Sequence, residues 1–213
     1  MRFVTNSNKE SLEALLKNNI DKCTRVKAAI AYANHDNMRL FEACLRYNKP
    51  LDFYGRIDYT VPISPEILKW FLNQKSANIQ CKLVANILHA KVIWWQGAGA
   101  YIGSANLTDR AWFRNIESGL FLSHSELIQN NMIEELDGFF DSVDEKALRL
   151  TSEIYEEQEK LYRKWHDIDR QKRKLEEEFE KSGLFPKLTS VFDTNIKTSD
   201  AKKYALFHKE WND

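Results

Sequence analysis

The sequence predicts an α/β fold, in which helices flank a mixed β-sheet and a long helix follows the compact domain. Short apolar or β-branched runs alternate with amphipathic segments over the first 140 residues, and the connections between them are short. From residue 144 to residue 182 the chain has no proline or glycine and is rich in charge. Such a run is typical of one long helix.

Seven runs are predicted to be strands. One of them, VKAAIAY at residues 26–32, is apolar at nearly every position, so we expect it to be buried on both faces at the centre of the sheet. Residues 97–99, Gly-Ala-Gly, separate two neighbouring runs and indicate a hairpin turn. The predicted strands are residues 2–5, 26–32, 51–57, 79–87, 91–95, 100–103 and 118–122.

Amphipathic segments predict the helices between these strands. Residues 8–18 and 126–140 each carry an apolar stripe at helical spacing. Asp36 is expected to cap a helix that ends near Asn48, and Pro65 suits the first position of the next helix.

We therefore expect three parts in the chain: a catalytic domain at residues 1–142, a charged helix at 143–182 and an aromatic-containing tail at 183–213. Within the helix only one of the two positions of a heptad seam is consistently apolar, so a coiled coil and a single solvated helix both remain open. The helix is also a candidate for binding a protein partner. The apolar seam residues are Ala147, Ile154, Leu161, Ile168 and Leu175.

Charge gives no strong indication of a partner. The 31 basic and 31 acidic residues cancel, and residues 1–140 carry 16 Lys and Arg against 14 Asp and Glu, a net charge of +2. A global field that attracts nucleic acid or an anionic membrane is thereby excluded, although a local basic site is not.

The three cysteines and the N-terminus indicate a soluble cytoplasmic protein that does not enter a membrane. Cys23, Cys44 and Cys81 lie far apart and match no metal-binding spacing, so we expect buried thiols in a reducing compartment. The first residues lack the pattern of a signal peptide, and no run of about 18 apolar residues occurs.

The chemistry-bearing residues cluster between residues 89 and 117. His89 and Lys91 fall on one face of a strand because strand side chains alternate, and the same reasoning groups Ser104 with Asn106. If the two strands are neighbours, Lys91 and Asn106 can bind the oxygens of a phosphate while Ser104 adds a hydroxyl. Glu117 is expected to accept a hydrogen bond from one ring nitrogen of His89, which would leave the other nitrogen as a nucleophile.

This pattern resembles the signature of the phospholipase D superfamily, H-x-K-x(4)-D-x(6)-G-S-x-N. Positions that match are His89, Lys91, Gly103, Ser104 and Asn106, and Leu107-Thr108, Asn115 and Glu117 are similar to the family's continuation. The signature Asp is replaced by Gln96, and Ala111 stands where many relatives have Gly. The resemblance implies a phospholipase D-like α/β/α sandwich over about residues 1–140.

The resemblance also implies a two-step mechanism without metal or other cofactor. One His attacks phosphorus to form a phosphohistidine, a second His protonates the leaving oxygen, and water then releases the phosphate. The family needs two motifs per active site, whereas the sequence has one, and His35, His124, His166 and His208 have no such context. A homodimer that joins the faces carrying His89 is therefore implied, since a two-fold axis brings identical surfaces together.

Several residues near the motif have two readings. Gln96, Arg110, Arg114 and Asn115 are candidates for binding substrate, and solvated loop charges are an equal alternative for the two arginines. Trp94, Trp95 and Tyr101 either stack on bases or, as is more common for a central strand, pack in the core.

The most economical function is a nuclease that cleaves DNA or RNA. Two alternatives are a phospholipase-type phosphodiesterase and a nucleic-acid-binding or assembly module with weak catalysis. A phospholipase would need an amphipathic surface for membrane docking, and the sequence shows no clear one. The replacement of the motif Asp by Gln96 favours the binding or assembly module.

Overall fold

A computed structural model of the chain describes residues 1–5 and 11–181. Its strands are β1 (Arg2–Thr5), β2 (Arg25–Ile30), β3 (Leu51–Ile57), β4 (Ile79–Ala85), β5 (Lys91–Gln96), β6 (Gly99–Gly103), β7 (Ser118–Ser123) and β8 (Ala147–Arg149). They form one sheet in the order β1-β7-β6-β5-β2-β3-β4-β8. Strands β2, β3 and β4 are parallel, whereas the other neighbours are antiparallel, so the predicted mixed sheet is confirmed.

Helices cover both faces of this sheet. They are α1 (Leu12–Asn19), α2 (Arg39–Arg46), α3 (Pro65–Leu72), α4 (Asp109–Phe113), α5 (His124–Gln129), α6 (Met132–Asp144) and α7 (Ser152–Lys181). Apolar side chains of α1, α2 and α3 pack on one face, and those of α5 and α6 pack on the other. The arrangement is the α/β/α sandwich that the alternation of strands and helices predicts.

Strand β2 lies at the centre of the sheet, as its apolar sequence predicts. It pairs with β3 on one side and with β5 on the other, so that Ile30 lies opposite both Gly55 and Lys91. Ala28, Ala29 and Ile30 are fully buried because helices cover both faces at this point. The end of β2 therefore sits between the strand that follows it in parallel and the strand that begins with Lys91.

Three local expectations are wrong. The helix predicted over residues 126–140 is divided into α5 and α6, because Asn131 adopts a left-handed backbone conformation with φ of 55°. Asp36 does not cap α2; Met38 holds that position, and the Asp36 carboxylate accepts a hydrogen bond from the backbone N–H of Asp109 instead. The short helix α4 replaces what the sequence suggests is a loop, and Thr108 caps it through its side chain.

The long C-terminal helix is present but begins later than expected. Strand β8 first pairs with β4 at one edge of the sheet, and α7 starts only at Ser152. Residues Met1–His166 form one compact unit, and α7 continues across its boundary. Ile154, a member of the apolar seam, packs against the core of this unit. The predicted tail, residues 183–213, lies outside the described residues.

The cysteines are free and buried, as predicted. Burial raises the pKa of all three thiols above the ordinary value for cysteine. Within the described part of the chain, no helix is both long enough and apolar enough to cross a membrane.

Candidate active site

The five predicted site residues lie together at one end of the strands, where β5 begins and β6 ends. His89 and Lys91 stand at the start of β5, and Ser104 and Asn106 come directly after β6. Strands β5 and β6 run antiparallel with Val92 opposite Ile102, so the start of one lies beside the end of the other. Glu117 precedes β7, whose Gly119 pairs with Gly103 of β6. The turn at residues 97–99 fixes this register.

His89 and Lys91 form a hydrogen-bonded pair. The Lys91 ammonium donates to the backbone carbonyl of His89 at 2.9 Å, and its Nζ lies 3.3 and 3.2 Å from the ring Nδ1 and Nε2 atoms. An ammonium only donates, so the contact with the ring favours a nitrogen that carries a lone pair. The His89 ring is exposed, whereas Lys91 is buried. The pair therefore presents an imidazole to solvent with a cation behind it.

Burial lowers the pKa of Lys91 below that of an ordinary lysine. The Glu117 carboxylate acts in the opposite direction and raises it, whereas the positive charge of Arg56 lowers it further. A buried cation that is only partly neutralised is well suited to bind an anion, because a phosphate would supply the missing negative charge.

Ser104 and Glu117 join the end of β6 to the start of β7. The Ser104 hydroxyl donates to Glu117 Oε2, and the Asn115 side-chain amide donates to Oε1 at 3.2 Å. Ser104 Oγ also accepts from the backbone N–H of Ser118 at 3.1 Å. Glu117 thus binds Ser104 and Asn115 rather than the His89 ring, because the register of β6 and β7 places Ser104 beside it.

Tyr101 supports the motif from behind. Its ring lies so close to Gly103 and Gly119 that a Cβ on Gly103 would approach the Tyr101 hydroxyl to 2.3 Å and one on Gly119 would approach the ring to 2.4 Å. The hydroxyl accepts a hydrogen bond from the backbone N–H of Ala105 at 3.3 Å. Tyr101 is buried, and burial raises the pKa of its phenol, so the group stays protonated. The motif glycine is required because Tyr101 occupies the space of a side chain.

Asn106 lies between β6 and the end of β2. The next residue, Leu107, donates its backbone N–H to the Tyr32 carbonyl at 3.0 Å, and its own carbonyl accepts from Asn34 at 2.9 Å. The Oδ1 atom of Asn106 is buried and has no hydrogen-bond partner among the described residues. A buried polar atom left unpaired is costly, and such atoms are concentrated at functional sites.

The four predicted substrate-binding residues are not all brought together. Asn115 joins the cluster through Glu117. Arg110 and Arg114 are exposed on or just after α4, beyond the motif loop. Gln96 lies at the opposite end of β5 from Lys91, where its carbonyl accepts from Thr24. Trp94, Trp95 and Tyr101 are core residues.

Two residues at this edge were not singled out in the sequence. Tyr32 follows the end of β2, and Arg56 is the last residue but one of β3. The guanidinium carbon of Arg56 lies 5.9 Å from the centre of the Tyr32 ring. A usable signal exists, because both residues fall at the carboxyl ends of adjacent parallel strands, where ligand sites of α/β sheets concentrate.

The side chains of the other described histidines, His35 and His124, make no contact with the motif residues. The His35 ring contacts Asn34 at 3.2 Å and Glu66 at 3.8 Å. His124 lies at the far end of the hairpin, where its backbone N–H donates to the Ala98 carbonyl, and its buried ring Nδ1 has no hydrogen-bond partner among the described residues. Across residues 1–5 and 11–181, no group of three or more His, Cys, Asp or Glu side chains is placed to hold a metal ion.

Comparison with known proteins gives one family match. Residues 60–139, which include the whole motif, match the family model described as the PLD-like domain of cardiolipin synthase. No curated protein sequence matches the chain.

The fold is similar to that of solved structures at 16% sequence identity. NucT from Helicobacter pylori has a TM-score of 0.54 over 70% of this chain and 97% of its own. Nuc from Salmonella typhimurium, a phospholipase D family member, has a TM-score of 0.53 over 71% and 97%. Phosphatidylserine synthase from Haemophilus influenzae has a TM-score of 0.53 over 80% of this chain and 45% of its own.

These structural likenesses establish the fold, and the family match covers the segment that holds His89, Lys91, Ser104 and Asn106. The described geometry brings those four residues together at one sheet edge. Residues 60–139 thus match a PLD-like domain, and the chain has the fold of the solved Nuc and NucT structures.

Proposed function

We propose that the protein is a nuclease that cleaves DNA or RNA without a metal ion, through a phosphohistidine formed on His89. The observation that carries the proposal is the exposed His89 ring in contact with a buried Lys91. The ring nitrogen attacks phosphorus, the P–O bond to the leaving oxygen breaks, and Lys91 and Asn106 bind the non-bridging oxygens. Water then hydrolyses the P–N bond and restores His89.

The leaving oxygen needs a proton, and we propose that His89 of a second copy supplies it. The support is that the His35 ring contacts Glu66, that His124 lies at the far end of the hairpin beside Ala98, and that the His89 ring is exposed. Ile87 and Ile116, at 69% and 94% exposure, lie within two residues of His89 and of Glu117. Exposed apolar side chains beside a charged site are typical of a contact surface. The proposed homodimer uses the face that carries His89.

Cleavage of nucleic acid in excess EDTA tests this function. Wild-type protein is expected to cut single-stranded or duplex DNA or RNA, and His89→Ala to lower kcat about a thousandfold or more, since the nucleophile is lost. Acid-sensitive labelling of the wild-type protein by a phosphate-labelled substrate would report the intermediate. His35→Ala is the matched control, because this exposed histidine contacts Asn34 and Glu66 instead of the cluster.

Two outcomes contradict the proposal. Cleavage that depends strictly on added Mg²⁺ would exclude the mechanism. Release of headgroups from phospholipid vesicles without any cleavage of polynucleotides would exclude the substrate.

A further inference from the structure

Arg56 is a second cation at the end of the sheet where the motif residues lie. It follows Gly55, which pairs with Ile30 of β2, and Ile30 in turn pairs with Lys91 of β5. Two inter-strand spacings, or about 10 Å, therefore separate the backbones of β3 and β5 here. A nucleic-acid strand carries one phosphate per about 3.4 Å of helix axis, so this distance spans about three nucleotides.

The guanidinium of Arg56 is held in place by a buried carboxylate. Arg56 Nε donates to Asp58 Oδ2, and the side chain of Asp58 is only 1% exposed. Asp58 Oδ1 accepts from the backbone N–H of Thr60 at 2.7 Å and from its hydroxyl at 2.6 Å. Burial by itself raises the pKa of Asp58, but the bonds from Thr60 and Arg56 outweigh it and hold the pKa below the ordinary value. The carboxylate therefore stays charged and fixes the arginine.

This ion pair leaves donors of Arg56 available. The pair uses Nε, and within the described part of the chain the terminal guanidinium nitrogens take part in no hydrogen bond. The side chain is 22% exposed, so part of Arg56 reaches the surface. A guanidinium offers five N–H donors in a fixed plane, which suits the oxygens of a phosphate.

Tyr32 connects Arg56 to the motif. The guanidinium lies over the Tyr32 ring, and the Tyr32 carbonyl accepts from Leu107, the residue after Asn106. The preceding residue, Ala31, donates to the carbonyl of Ala90, the residue after His89. Tyr32 is thus flanked by both halves of the motif, and Arg56 lies along the open end of β2 beside them.

We infer that Arg56 binds a second phosphate of the same strand, within about three nucleotides of the scissile one, so that the site takes a chain of phosphodiesters rather than an isolated one. The inference rests on the proposed nuclease function and specifies its substrate class. Asp58, Thr60 and Tyr32 orient the guanidinium, while Lys91 and Asn106 bind the scissile phosphate. A polynucleotide strand then crosses the ends of β5, β2 and β3 in that order.

Binding of a single-stranded oligonucleotide at several salt concentrations tests the inference. The protein carries His89→Ala to prevent turnover, and a fluorescent strand about eight nucleotides long is titrated by anisotropy. Addition of Arg56→Gln is expected to raise Kd about fivefold to tenfold and to reduce the slope of log Kd against log salt by about 0.7, the value for one phosphate contact on a single strand.

Arg25→Gln in the same background is the matched control. Arg25 also pairs with a neighbouring carboxylate, Asp52, at 2.6 Å, but it lies at the opposite end of β2. Because loss of Arg56 leaves the buried Asp58 carboxylate without a counter-charge, the double change Arg56→Gln with Asp58→Asn provides a second folded variant, checked by thermal unfolding. It is expected to show the same reduction in slope.

Equal slopes and Kd values for the Arg56 and Arg25 variants would overturn the inference, since a merely structural ion pair alters stability and leaves the salt dependence unchanged. An oligonucleotide that fails to bind at all would overturn it as well. Cleavage by the wild-type protein is scored separately. Binding that depends on Arg56 without any cleavage would therefore uphold the inference and contradict the nuclease proposal.

Discussion

Among single residues, Tyr101 connects the core to the motif through its hydroxyl group. It accepts the Ala105 N–H inside the Gly-Ser-Ala-Asn segment and fills the space that Gly103 and Gly119 leave open. Tyr101→Phe is expected to lower kcat about 10–100-fold, because a loop displaced by about 1 Å misplaces Ser104 and Asn106. Loss of the acceptor should also reduce the free energy of unfolding by about 1–2 kcal/mol.

Tyr54→Phe is the matched control for this change. Tyr54 is buried on the opposite face of the sheet and donates its hydroxyl to Asp144 at 2.8 Å. A similar loss of stability with unchanged kcat is expected for it. If both variants lose kcat in parallel with stability, the role of Tyr101 is general packing and not the position of the motif. Kinetics and chemical denaturation together distinguish the two cases.

Much of the site follows from the sequence at the scale of single residues. Period-two alternation places His89 with Lys91, and the glycine turn makes their strand the neighbour of the one that ends at Gly103. The partner of Glu117 does not follow, because the register between β6 and β7 decides whether Ser104 or His89 lies next to it. The position of Arg56 near the motif does not follow from the sequence either, because it depends on the pairing of β3 with β2.

At the scale of elements, β8 and the first turns of α7 belong to the compact unit. Leu150 is buried, Ile154 and Tyr155 pack against the core, and Gln158 is 5% exposed. A chain that ends at His166 is therefore expected to unfold at nearly the same temperature as the whole protein. A chain that ends at Asp144 should lose at least about 3 kcal/mol of unfolding free energy, because these side chains no longer cover the sheet.

Thermal unfolding followed by circular dichroism measures this difference. Equal stability of the two truncated chains would place the limit of the folded domain near residue 142, as the change in composition predicts. The sequence does not anticipate β8, because three residues give too short a pattern for alternation to be recognised. The break between α5 and α6 was missed too, since it depends on the backbone conformation of one residue, Asn131.

At the scale of the whole molecule, the sequence carries one copy of the motif, so the proposed sharing of an active site between two chains can be tested. Co-expression of two differently tagged chains, one of them with His89→Ala, allows the mixed dimer to be purified. If each site needs His89 from both copies, the mixed dimer should have less than about a hundredth of wild-type kcat, because loss of one member of a catalytic pair costs nearly as much as loss of both. Retention of about half the activity would mean that each chain acts independently.

The burial of the three thiols has a consequence for the folded protein as a whole. Cys23, Cys44 and Cys81 are at most 6% exposed, and their raised pKa values keep them in the unreactive thiol form. Oxidants and electrophiles attack thiolates that solvent can reach, so the three cysteines are protected from them while the chain is folded. Reaction of these three thiols with an oxidant is therefore expected only after the chain unfolds around them.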